Sequence, residues 1–106
     1  MKIAIAYVAT TALAAAALAT APAAFADPED DFLILISKGG ITWPPEKTAL
    51  VIETGKAVCG DFAKGASFDQ EVADLRSATS WSEDRAGYFI DAATQAFCPE
   101  YGGKVS

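Results

Sequence analysis

The chain has 106 residues, 14 acidic against 8 basic side chains, no histidine, and a formal net charge of −6. Nucleic-acid binding depends on neutralising phosphates with Lys and Arg, and here those residues are few and scattered singly, so that class is excluded; anionic lipid surfaces are disfavoured for the same reason. Without histidine, the ordinary Ser-His-Asp constellation is unavailable.

The first segment reads as a secretory signal. Lys2 supplies a short positive start, no charge occurs from Ile3 to Ala21, Pro22 breaks the run, and Ala24-Phe25-Ala26 has the small-x-small pattern of a cleavage site. Cleavage is predicted between Ala26 and Asp27, leaving residues 27–106 as one domain outside the cytoplasm, one unit more negative after loss of Lys2. The rival reading is an uncleaved anchor, because Ile3 to Ala26 is long enough to span a bilayer. Its alanine- and threonine-rich composition argues against that, since stable spans rely on Leu, Ile, Phe and Val. No cysteine near Ala26 provides a lipoprotein-type anchor, and no second apolar run follows, so the processed chain is expected to be soluble.

Helix 1 is predicted from Asp27-Pro28, with Asp27 as cap, Pro28 at the first helical position and Asp30 at a capping-box-like spacing. Phe32, Leu33, Ile36 and Leu35 give its apolar stripe, although Phe32 to Ile36 alone would also suit a buried strand. Gly39-Gly40 ends it, and the connector Ile41-Thr42-Trp43-Pro44-Pro45 is not helical through its prolines. Helix 2 is expected from about Glu46 to Lys64, with Val51, Gly55, Val58, Cys59 and Phe62 on one face and Gly65 as stop. Ser67 and Gln70 cap helix 3, whose inner face is Phe68, Val72 and Leu75; Ser77 to Ser80 reads as loop. Helix 4 starts near Ser80 or Ser82 and ends at Cys98 before Pro99, with Ala86, Phe89, Ile90, Ala93 and Phe97 on its apolar face.

Cys59 and Cys98 are the only cysteines, so one intramolecular pairing is possible, and outside the cytoplasm it persists. The loop it closes, roughly 40 residues, corresponds to roughly 4 kcal/mol of stabilisation. The architecture predicted is all-α: a small bundle of about four helices, stapled from helix 2 to the end of helix 4.

Asp31-Phe32-Leu33 with Ile36 and Gly40-Ile41, then Gly55, Val58-Cys59, Gly65, Val72 and Leu75, and finally Ala86, Phe89-Ile90, Ala93, Phe97-Cys98-Pro99 and Tyr101 form an ordered set. In these positions the chain resembles domain of unknown function 732, a family of small exported actinobacterial, chiefly mycobacterial, proteins. The family usually has tyrosine before the second cysteine, where this chain has Phe97. The resemblance implies an exported, mostly helical, disulfide-linked domain and no established activity.

Candidate chemistry is sparse. A reactive thiolate wants a helix N-terminus or a nearby cation, whereas Cys98 falls at a predicted helix C-terminus and Cys59 in mid-helix. Asp27, Glu29, Asp30 and Asp31 lack the spacing and glycine of a calcium loop and suit the start of a helix instead. The carboxylate pairs Glu83-Asp84 and Asp69-Glu71 also fall in first turns, where acidic residues serve local stability. No catalytic residue, metal ligand or cofactor is predicted. Trp43 and Trp81 are the candidate binding surface, with covering the edges of the core as their alternative role. Gly55 and Gly87, costly inside helices, suggest close helix packing. The function expected is that of an exported, noncatalytic module that binds a protein or cell-envelope component. The alternative is a small carrier holding an apolar ligand in an enclosed inter-helix cavity.

Overall fold

In the computed structural model, which describes residues 27–105, the chain enters its first helix at Asp27. The predicted signal, residues 1–26, lies outside the described residues. The Asp27 carboxylate accepts the backbone N–H groups of Glu29 (3.0 Å) and Asp30 (3.3 Å), satisfying two donors that have no partner within the helix. Its charge, close to Asp30, also holds the Asp30 carboxyl above its ordinary value.

Helix α1 spans Pro28–Lys38 and buries Phe32 and Ile36, so the Phe32–Ile36 segment is helical and not a strand. Gly40, at φ +85°, reverses the chain. That left-handed turn lets the Gly40 N–H reach Ser37 O (3.0 Å) and the Ile41 N–H reach Ile36 O (3.0 Å), and it delivers Ile41 into the core.

Helix 2 begins later than the predicted Glu46. Pro45–Lys47 form a separate 3₁₀ turn, closed by the Lys47 N–H on Pro44 O (2.8 Å), and α2 spans Thr48–Ala63. Two consecutive prolines fix φ and remove donors, so the chain tightens before the regular helix begins. At the far end Gly65, at φ +100°, closes α2, with the Ala66 N–H on Asp61 O (3.0 Å).

Helix α3 spans Phe68–Ala78 behind a reciprocal cap: the Gln70 N–H donates to Ser67 Oγ (3.1 Å), and the Ser67 N–H donates to Gln70 Oε1 (2.8 Å). It runs through Ser77 and Ala78, which sequence patterning assigned to a loop. The extra residues are held by side chains near the end. The Thr79 hydroxyl donates to Leu75 O (2.8 Å), and Arg76 Nε donates to Trp81 O (3.3 Å) across the turn. Ser82 then caps α4, Glu83–Phe97, through the Arg85 N–H (3.2 Å). Pro99 ends α4 as expected, but the chain continues as a 3₁₀ segment, Pro99–Lys104, which periodicity did not reveal.

Among the described residues the other three helices pack around α4, which touches each of them. Its buried face, Ala86, Phe89, Ile90 and Ala93, meets Phe32 and Ile36 of α1, Val58 and Phe62 of α2, and Val72 and Leu75 of α3 in one cluster. Phe32 sits edge-on to Phe89 at 5.2 Å and beside Phe97 at 5.1 Å. Gly55 makes room for this aromatic group: a Cβ there would lie 2.7 Å from the tip of the Phe32 ring. The close approach expected at Gly55 is thus helix to ring, not backbone to backbone. Gly87 similarly faces the Phe68 ring, 3.3 Å from where its Cβ would stand.

At the end of α1, a Cβ on Gly39 would overlap the Tyr88 ring, whose hydroxyl donates to Leu35 O at 2.7 Å. Arg85 Nη1 also reaches this corner, donating to Gly40 O (3.2 Å). Cys59 and Cys98 are joined in a disulfide across 6.0 Å between Cα atoms, linking the middle of α2 to the residue after α4. Thr94, buried in α4, has its hydroxyl on Ile90 O (2.8 Å), so its own polar group is satisfied within the helix.

Candidate functional site

Two surface features stand out from this scaffold. The first lies along α1. Trp43 follows the Gly40 reversal and is held by its own connector: the indole Nε1–H donates to Thr48 Oγ1 (3.0 Å), while the Thr48 hydroxyl donates to Pro45 O (2.8 Å). With its polar end satisfied, the half-buried indole presents an apolar face to the surface. Beside it, Leu33, Ile34, Ser37 and Lys38 of α1 complete an open groove of about 360 Å³. Ile34 is 53% exposed, much as Leu50 of α2 is at 54%, but of the two only Ile34 lines this groove. The groove continues past Trp43 over Ile41 and Pro45, and on the other side past Ile34 toward Gln95 and Pro99.

Trp81 occupies a different setting. It precedes the α4 cap, is half-buried, and lies against Phe89 with ring centres 5.5 Å apart. Its backbone is tied on both sides, the N–H to Thr79 Oγ1 (3.1 Å) and the carbonyl to Arg76. The two tryptophans therefore do not share the α1 groove; Trp43 lines it and Trp81 does not.

The second feature lies between α2 and α3. Asp61, Lys64 and Ala66 at the end of α2 and Gln70, Glu71 and Asp74 of α3 line a cleft of about 490 Å³. Glu71 is only 5% exposed. Burial pushes its carboxyl up to about 7, assisted by a hydrogen bond with the Asp61 carboxyl and by the charges of Asp61 and Asp74. An apolar pocket of about 170 Å³, lined by Ala57, Val58, Leu75 and Ala78, shares these three carboxylates. Glu71 thus pairs across the helices with Asp61, whereas the sequence reading gave it, with Asp69, only a local role in the first turn of α3. A usable signal was present: Phe68, Glu71, Val72 and Leu75 are at i, i+3, i+4 and i+7, which places a carboxylate on the apolar face.

Other sequence candidates stay apart. Glu83 and Asp84 lie exposed in the first turn of α4. Glu29 forms an exposed ion pair with Lys56, the sole salt bridge among the described residues. No group of three His, Cys, Asp or Glu side chains among the described residues is arranged to hold a metal ion. No helix among them is long and apolar enough to cross a membrane. Both cysteines are consumed by the disulfide.

The profile of the family described as "Protein of unknown function (DUF732)" matches residues 28–100, from the start of α1 to just beyond Cys98. The chain belongs to the DUF732 family. Uncharacterized proteins of Mycobacterium bovis and of two Mycobacterium tuberculosis strains are each 30% identical over 102 residues, covering 92% of this chain and 88% of theirs. No solved structure matches the chain significantly. The DUF732 match takes in all four helices, the disulfide, both tryptophans and the α2–α3 carboxylates.

Proposed function

We propose that this DUF732 protein is an exported, noncatalytic helical module that binds a protein or cell-envelope component through the groove of Leu33, Ile34 and Trp43. The observation that carries the reading is the apolar surface left uncovered on α1. Ile34 and the face of Trp43 stand on rigid elements, and the tryptophan's only donor is already satisfied internally. A surface of that kind favours an apolar partner, with tryptophan as anchor. Trp81 contributes less to such a surface because its ring packs on Phe89.

Export through a signal cleaved between Ala26 and Asp27 fits the disulfide, since such bonds persist outside the cytoplasm. The noncatalytic reading rests on the lack of histidine and on cysteines tied up in the staple. The carrier alternative draws no support from the interior, where Phe32, Phe62, Phe89, Ile36 and Ile90 are fully buried against one another and the clefts open outward.

Site-specific photo-crosslinking tests the proposal. A benzophenone side chain at Ser37, within the groove, should yield a discrete adduct in envelope fractions, and the same group at exposed Ser77 should not. Adding Ile34→Asp should abolish the adduct. Equal adducts from both positions, or persistence in the Ile34→Asp protein, would remove the groove from consideration.

A further inference from the structure

We propose that the α2–α3 groove is a second docking surface, one that takes a basic side chain of a protein partner. The cationic group would enter among Asp61, Glu71 and Asp74, with the adjoining apolar part of the partner seated on Ala57, Val58 and Leu75. The proposal starts from an oddity of placement. Glu71 is 95% withdrawn from water, yet among the described residues no cation and no N–H or O–H donor outside the acid cluster meets its carboxyl. Its one partner is the Asp61 carboxyl, an acid like itself, whereas buried carboxylates are ordinarily paired with a cation that offsets their desolvation cost.

Neither nearby lysine forms a salt bridge with Glu71. Lys64 lines the cleft without forming a salt bridge. Lys104 donates to Ala66 O (3.1 Å) and stands over the Phe62 ring at 5.5 Å. Asp61 from α2 and Asp74 from α3 therefore face Glu71 with like charge, and both add to the rise of its carboxyl.

The cleft has room for the missing partner, about 490 Å³ beside an apolar pocket of about 170 Å³. That combination of carboxylates at one end and Ala57, Val58 and Leu75 at the other matches an arginine or lysine. Such a side chain has an apolar stem and a charged head, and a guanidinium fork engages carboxylates with two parallel bonds. The metal alternative is disfavoured by the arrangement of the carboxylates. The overall charge of −6 would draw a basic partner toward the surface. This surface is separate from the α1 groove, so either assignment stands if the other fails.

The test is an NMR titration of the exported, disulfide-intact protein with a short capped peptide whose central arginine is flanked by leucines. The same peptide with citrulline replacing arginine is the control. Saturable shifts should be confined to amides near Asp61, Ala66, Glu71 and Asp74, and the citrulline peptide should not produce them. Glu71→Gln should weaken binding by about tenfold or more, and Asp74→Asn should weaken it in the same direction. Because occupation must expel the proton held by Glu71, affinity should fall as the pH is lowered from about 7.5 to about 5.

Equal binding of the citrulline peptide, shifts scattered over all surface carboxylates, or unchanged affinity in the folded Glu71→Gln protein would each overturn the assignment. So would calcium chloride saturating the same amides and displacing the peptide, which would make the site a metal site.

Discussion

At the residue scale, the glycines of α2 give two predictions of opposite sign. Gly55→Ala gains the helix preference of alanine, but its Cβ must enter space held by Phe32, 2.7 Å away, and Phe97, 3.1 Å away. Phe32 is fully buried between Phe89 and Phe97 and has nowhere to retreat. Overpacking of that kind outweighs the propensity gain, so the variant should lose about 1–2 kcal/mol in a denaturant titration. Gly60→Ala, in the same helix with nothing within 4 Å of the new Cβ, should instead gain about 0.5–1 kcal/mol. If both shift in the same direction, steric exclusion at Gly55 is not the deciding effect.

Glu71 makes a third residue-scale prediction. Its folded-state value near 7 lies above the ordinary 4.5, so the folded protein holds this proton more tightly than the unfolded chain does. The associated stability is fully present below about pH 4.5 and is lost as the pH rises toward 7, by an amount of order 1–3 kcal/mol. Glu71→Gln keeps the buried side chain neutral and should flatten that loss, making the variant more stable than the parent above pH 7. Melting curves at several pH values measure it; parallel profiles for the two proteins would contradict the account.

At the element scale, the helices were legible where local chemistry and periodicity agreed. Asp27, the Ser67–Gln70 pair and Ser82 cap the helices as their residue types indicate, and Gly40 and Gly65 take the left-handed turns that end α1 and α2. Ser67→Ala should therefore cost about 1 kcal/mol of stability by denaturant titration, since it removes half of a reciprocal cap.

The misreadings have a common cause. The extension of α3 through Ala78 depends on Thr79 and Arg76 bonding around the turn, and the final 3₁₀ segment packs Tyr101 against Phe62. The first two are local side-chain bonds around a turn and the last is tertiary, and none of them leaves a period in the sequence. The same holds for the Asp61–Glu71 pair, whose members belong to different helices and meet only when α2 packs against α3. Trp43 was visible as a candidate from its type and its proline-bound position. Its groove was not, because that depends on Leu33 and Ile34 of another element.

At the scale of the whole molecule, α4 organises the bundle and the disulfide holds α2 to its end. In a domain this small the cross-link is a large share of the total stability. Cys59→Ser, or reduction of the parent protein, should lower the free energy of unfolding by roughly 3–4 kcal/mol, with a matching fall in melting temperature. An unchanged melting temperature would mean that the core alone sustains the fold. The scaffold leaves the α1 groove on fixed helical and proline-stiffened segments, suited to recognition without rearrangement.

The most direct test of the whole reading is the mass of the protein exported from its own host, measured in the native state and again after denaturation. An exported binding module should begin at Asp27, lack the two hydrogens given up by Cys59 and Cys98, and carry a native excess that denaturation releases and Ile34→Asp removes. A chain still beginning at Met1, or a processed chain that is bare in both the parent and the Ile34→Asp variant, would contradict it.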